Sequence, residues 1–230
     1  LKPHRPLQGW LKDAEEFALG DYANALFKGD SLTKEERADI IKRTSYFTGI
    51  SEQFIERSNL RINDQHYFKE LLRERGLTVG RLDSRLIGRD RLGVTEHAEY
   101  DPLLTNIMGP YTAAFYDYIR RELKFESDLP YEILSGFVHP WSYKEFENAY
   151  VNVAETLRAA MTYNPYLKVY VANGYYDLGT PYFATEYTFN HLGLDESLRG
   201  NVTMGYYEAG HMMYIHIPSL KQMKKDLANF

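Results

Sequence analysis

Asp177 and His211 each follow a short apolar run that ends in a glycine turn. The first run, Leu167-Lys168-Val169-Tyr170-Val171-Ala172, leads through Asn173-Gly174 to Asp177. The second, Val202-Thr203-Met204-Gly205-Tyr206-Tyr207, leads through Glu208-Ala209-Gly210 to His211. A carboxylate beside an imidazole holds the ring in one tautomer and stabilises its protonated form. The histidine can then act first as general base and later as general acid for a nucleophilic hydroxyl. Taken singly, the aspartate also reads as a helix cap or turn former, and the histidine as a surface residue. Their joint placement at two successive strand ends is what points to chemistry.

The elements that must position them follow from the intervening residues. Thr180-Pro181 opens a helix expected to stop near Gly193, since proline suits a first helical position and glycine a C-terminal cap. Strand, helix and strand with short connections predict a parallel βαβ unit. In such sheets polar ligands bind beyond the carboxyl ends of the strands, which is where both residues fall.

These segments resemble a known family. Gly174-Tyr175-Tyr176-Asp177, then Gly210-His211-Met212, then Ile217-Pro218 opening a terminal helix, are similar to the end of a serine carboxypeptidase, closest to the bacterial, cysteine-free members. The likeness is specific over roughly the last 65 residues and looser over Phe17 to Tyr131. It implies an α/β class, with residues 141–230 as the C-terminal portion of an α/β-hydrolase core and residues 1–140 as a mainly helical cap insertion. It implies Asp177 as triad acid and His211 as triad base, with Met212 and Gly210 on the substrate side. The family chemistry is hydrolysis of C-terminal peptide bonds through an acyl-enzyme, with a peptide substrate and no cofactor. A secreted or periplasmic location rests on the resemblance alone.

The nucleophile is the departure. The family's serine sits in a Gly-x-Ser-x-Gly elbow, and no serine here has that setting. Ser135, in Ile133-Leu134-Ser135-Gly136-Phe137, comes nearest and lacks the flanking glycines; there is no cysteine to substitute. The expectation is that the elbow, with the oxyanion donors, lies upstream of Leu1, so that the partner completing the site is an N-terminal half. Failing that half, a second copy of the chain would cover the bare edge of the strand pair, whose Val169, Val171, Val202 and Met204 would otherwise face solvent. Two alternatives remain open: a non-catalytic binding or cap fragment, and an acyltransferase or esterase built on the same triad.

Composition narrows the remaining classes. With 44% apolar and 15% aromatic residues in 230, the chain is globular. The 20 tyrosines suit half-buried surfaces where the ring packs and the hydroxyl stays wet. A net charge of −5 without a basic run gives no reason to expect nucleic acid. No apolar stretch approaches membrane-spanning length. Zero cysteines excludes disulfides and thiolate metal sites without settling the compartment. No metal-ligand cluster, phosphate-cradling glycine loop or nucleotide fingerprint is legible.

Along the chain, helical spacing runs from Trp10 to Leu26, with a possible break at Gly20. Thr33 and Glu36 form a capping-box signature for a helix ending near Gly49, Ser51 caps a short third helix, and Asn63 or Asp64 starts a fourth that stops by Gly76. Leu77 to Leu92 predicts a small hairpin, in which Asp83-Ser84-Arg85 offers charged groups for a site but reads rather as a turn with solvated charges. Gly93 to Asp101 reads as a loop. Pro110 leads into a helix with Tyr111, Ala114, Phe115, Tyr118 and Ile119 on one face. His139, beside Pro140 and Trp141, reads as packing. A helix is expected over Phe146 to Met161, and a last one over Pro218 to Phe230.

Overall fold

The computed structural model describes residues 6–230 and is a mixture of helices with two small sheets. It divides into two compact units. One comprises residues up to Gly80 together with Ile87–Glu99; the other comprises Arg81–Leu86 and Tyr100–Phe230. Residues 100–140 therefore share a unit with the strands that carry Asp177 and His211.

The first unit is built from capped helices. Helix α1 (Leu7–Phe17) passes through a wide π turn at Ala18–Tyr22 into α2 (Ala23–Lys28), so Gly20 widens the helix rather than ending it. In α3 (Lys34–Thr48) the capping box forms as expected: the Thr33 hydroxyl accepts from Glu36 N–H at 3.1 Å, and the Glu36 carboxylate accepts from Thr33 N–H at 2.9 Å. Gly49, at φ +77°, closes that helix in the left-handed region. Ser51 caps α4 (Glu52–Arg57) and Asn63 caps α5 (Asp64–Glu70). Phe17, Ala25, Ile40, Ile41, Ile50, Ile55 and Leu60 form the core between them. A two-residue antiparallel pair follows, β1 (Thr78–Val79) with β2 (Ile87–Gly88), where the hairpin is expected.

In the second unit, α6 (Pro102–Asp117) starts eight residues earlier than Pro110, which lies inside it. Asp101-Pro102 supplies both an N-cap and a proline at N1, a stronger start signal than an isolated proline. The expected helix over 146–161 shortens to α7 (Ala154–Tyr163). There the Asn152 side chain accepts from Ala154 N–H at 2.9 Å in a turn that precedes the helix, while Val151 and Val153 are left exposed.

The βαβ unit is present as read. Strand β3 (Val169–Gly174) leads through α8 (Tyr182–Asn190) and α9 (Glu196–Arg199) to β4 (Val202–Tyr207). The strands are parallel, with Val169 opposite Val202 and Gly174 opposite Tyr207. Gly193, at φ +66°, follows α8 near its expected stop. The valines are not bare: Val169 and Val202 pack on Met161, Leu192 and Leu194, with Ala154 and Leu157 of α7 against the same cluster. Val171 and Met204 are half-buried. Helix α10 (Ile217–Asn229) closes the chain, its Met223 against Tyr207, Ala209 and Met213. No helix among the described residues is long and apolar enough to cross a membrane.

Candidate functional site

The parallel register brings the two strand ends level, and the loops beyond them stay hydrogen-bonded. Tyr175 N–H donates to Tyr207 O and Tyr176 N–H to Ala209 O, each at 3.0 Å. Asp177 and His211 then meet: His211 Nδ1 lies 2.8 Å from Asp177 Oδ2. The carboxylate is buried at 4% exposure, whereas the imidazole is exposed.

Asp177 is held by more than the histidine. Its Oδ1 accepts from Gly179 N–H at 2.8 Å and Thr180 N–H at 3.0 Å, and its Oδ2 accepts from the Thr180 hydroxyl at 2.6 Å. Thr180 Oγ1 also lies 3.2 Å from His211 Nδ1. With the single threonine proton directed to the carboxylate, Nδ1 is the ring nitrogen that carries the hydrogen. Nε2 is thereby an acceptor, and no described residue donates to it. Burial works against the charge on Asp177, but the hydrogen bonds from Thr180, His211 and Gly179 outweigh it and hold the carboxyl below its ordinary value.

That direction has a consequence for acid stability. A depressed folded-state pKa contributes stability that is present above the ordinary carboxylate pKa and lost as pH falls through the folded value. The stability gap between the parent chain and Asp177→Asn is expected to be widest at neutral pH and to shrink toward about pH 3. Thermal unfolding across that range checks it; a gap that widens in acid would contradict the direction.

A strap of six residues, 81–86, ties the two loops together. Leu82 O accepts from His211 N–H at 2.7 Å, Arg81 O accepts from Leu178 N–H at 2.9 Å, and Ser84 N–H donates to Tyr176 O at 2.9 Å. Asp101 anchors the strap: its Oδ2 accepts from Arg81 and Leu82 N–H, while its Oδ1 caps α6 at Leu103 and Leu104. The approach is close enough to require glycine. A Cβ at Gly210 would lie 2.3 Å from Leu82 O, and one at Gly174 would lie 2.3 Å from Gly210 O.

The expectation of solvated charges at Asp83-Ser84-Arg85 is corrected at Asp83, while Arg85 is exposed. Asp83 is buried, and its carboxylate takes Arg85 Nε at 3.0 Å and Nη2 at 2.7 Å. Arg85 Nη1 donates to Glu208 O at 2.9 Å, and the guanidinium sits 4.8 Å over the Tyr176 ring. The pair braces the histidine loop from one side. Tyr175, Tyr182 and Tyr206 form an aromatic wall beside the aspartate loop, with Tyr175 stacked on Tyr206 at 5.8 Å.

Of the residues singled out in the sequence, Asp177 and His211 are brought together. Gly210 is buried against the strap, and Met212 is half-buried and leads into a short 3-10 turn at Met213–Ile215. Ser135 caps a turn at Gly136–Val138 by accepting from Phe137 N–H, and no hydrogen bond joins it to His211. Thr180 and Asp101 were not legible as parts of the site, and Asp83-Ser84-Arg85, which offers charged groups for a site, reads in the sequence as a turn. Thr180, three residues after the aspartate, carried the one available signal, a turn in which a hydroxyl returns to an upstream carboxylate. A second grouping, His66 with Glu96 and His97, also escaped the sequence reading. No protein-family model, curated protein or solved structure matches the chain.

Proposed function

We propose that Asp177 and His211 are the acid and base of a serine hydrolase that removes residues from the free C-terminus of peptides, the serine being contributed by a segment other than residues 1–230. The observation that carries this reading is the 2.8 Å contact between a buried carboxylate and an exposed imidazole, at the carboxyl ends of adjacent parallel strands. The finer architecture belongs to the same proposal: an α/β-hydrolase sheet whose last strands are β3 and β4, with a mainly helical cap formed by the N-terminal part of the chain.

In this mechanism Nδ1–H stays on Asp177 while Nε2 accepts the serine proton as Oγ bonds to the scissile carbonyl carbon. The imidazolium returns that proton to the departing amine when the C–N bond breaks. Water, deprotonated by the same Nε2, then releases the acyl group and regenerates the serine. Met212, next to the base, faces the substrate side in this reading, and Gly210 lets the loop reach the strap.

The test combines a fluorophosphonate probe with two peptides that differ only in a free or amidated C-terminus. The 230-residue chain is expected to form no serine adduct. Joined to or reassociated with a segment carrying Gly-x-Ser-x-Gly, it is expected to form one adduct and to shorten the free-carboxylate peptide alone. Stoichiometric labelling of a serine within residues 1–230 would move the nucleophile into this chain. Hydrolysis that survives His211→Ala would overturn the assignment, and equal turnover of both peptides would remove the requirement for a free C-terminus.

A further inference from the structure

His66, in α5, and Glu96-His97, in the loop after β2, bring three ligand atoms within 4.8 Å of one another. His66 Nε2 lies 2.9 Å from Glu96 Oε1. The two imidazoles stack at 5.3 Å with planes 7° apart, and the Phe54 ring meets His66 edge-on at 6.2 Å. All of these residues belong to the first unit, so the grouping is independent of Asp177 and His211.

The loop that delivers Glu96 and His97 is fixed without their help. Lys69 is buried and pairs with buried Asp90, and it also donates to Leu92 O at 3.2 Å. Arg73 donates to Gly93 O at 2.6 Å and to Thr95 O at 3.1 Å, the latter carbonyl directly preceding Glu96. Asp90 accepts in addition from Glu99 N–H, and Glu99 pairs with Arg91. The backbone on both sides of Glu96-His97 is therefore pinned, and two of the three ligands start preorganised against the third.

We infer that His66, Glu96 and His97 bind one divalent transition-metal ion of the zinc type. Two imidazole nitrogens and one carboxylate oxygen are a donor set suited to Zn²⁺, with the fourth tetrahedral position left to water. Ligand atoms at about 2.1 Å from a tetrahedral ion lie about 3.4 Å from each other, so the set closes by side-chain adjustments of up to about 1.4 Å together with a turn of one imidazole out of the stack, which brings both ring nitrogens to face one ion. Glu96, whose side chain is 73% exposed, has the freedom to make that adjustment. The bound ion staples the 89–99 loop to α5. Hard cations that prefer all-oxygen shells are excluded by the two nitrogens.

The experiment is calorimetric titration of Zn²⁺ into the tag-free 230-residue chain after chelator treatment, with Mg²⁺ as comparison and thermal unfolding as a second readout. One Zn²⁺ per chain is expected, with a higher unfolding temperature when it is bound. His66→Ala and His97→Ala are each expected to weaken binding at least about tenfold, the lower bound for losing even an outer partner of a metal site. Glu96→Gln is expected to weaken it in the same direction, while His191→Ala, at the C-terminal end of α8 in the second unit, leaves it unchanged. No saturable Zn²⁺ binding, binding that persists in both histidine variants, or Mg²⁺ binding as tight as Zn²⁺ would each overturn the inference.

Discussion

Asp177→Asn is expected to lower turnover of the proposed hydrolase by about 10⁴-fold while leaving the fold in place. The carboxylate accepts at Oδ2 from both His211 Nδ1 and the Thr180 hydroxyl, and at Oδ1 from two backbone amides. An amide of the same shape has one acceptor oxygen, and the paired N–H groups at Gly179 and Thr180 claim it. Its NH₂ then faces Nδ1, which must become the acceptor, so Nε2 holds the hydrogen and can no longer take one from a serine. His211→Ala removes the base itself and is expected to cost about 10⁴- to 10⁶-fold, with the double variant no worse than the more severe single one, because triad members act as a unit. Single-turnover kinetics on a peptide with a free C-terminus measures both. An Asp177→Asn variant that keeps more than about a tenth of parental turnover would remove the aspartate from the mechanism.

The second large effect is expected at Gly210. An added methyl would meet Leu82 O at 2.3 Å, Asp83 Cβ at 2.5 Å and Asp83 Cγ at 2.7 Å. None of these is the far end of a flexible side chain, so the strap or the histidine loop must move as backbone. Gly210→Ala is expected to cost about 3 kcal/mol, the upper end for an overpacked site. Gly200, where an added methyl meets nothing within 4 Å, provides the control, and Gly200→Ala should stay within about 0.5 kcal/mol of the parent. Urea denaturation followed by circular dichroism compares them; a Gly210→Ala midpoint indistinguishable from that of Gly200→Ala would show that the close approach is not a constraint.

The contrast between these two positions also shows what was readable in the sequence. Asp177 and His211 were legible because each ends a regular, strongly patterned element, and the period of an apolar run survives without knowledge of its neighbours. The capping box at Thr33 and Glu36 was legible for the same local reason. The strap was not. Asp83 and Arg85 sit in a short polar stretch that any surface turn could contain, and only the burial of Asp83 and the bond from Arg85 to a carbonyl more than a hundred positions away give them a task. Asp101 looked like the end of a loop, since nothing local tells a helix cap from a cap that also grips a second segment. Helix α7 was overextended because apolar spacing continued upstream of Asn152, where a side-chain hydrogen bond to the backbone prevailed over periodicity. His66, Glu96 and His97 share no recognisable spacing, since a helix and a loop some 30 residues apart contribute to one cluster.

The strap has a consequence in time as well as in space. Arg85 and Glu208 are separated by 123 positions, and Leu82 and His211 by still more. At roughly 5–20 residues per second, the residues that brace the histidine loop leave the ribosome roughly ten seconds before the loop itself. Until then Leu82 O lacks the His211 N–H and Arg85 Nη1 lacks Glu208 O, while the rest of the guanidinium is held by Asp83 within the strap. The dyad is thus braced by contacts that span 123 positions or more, which are formed late because loop closure must be completed before they add any stability. A polypeptide interrupted before His211 would contain every brace of the site, and Asp177 as well, but not the base they position.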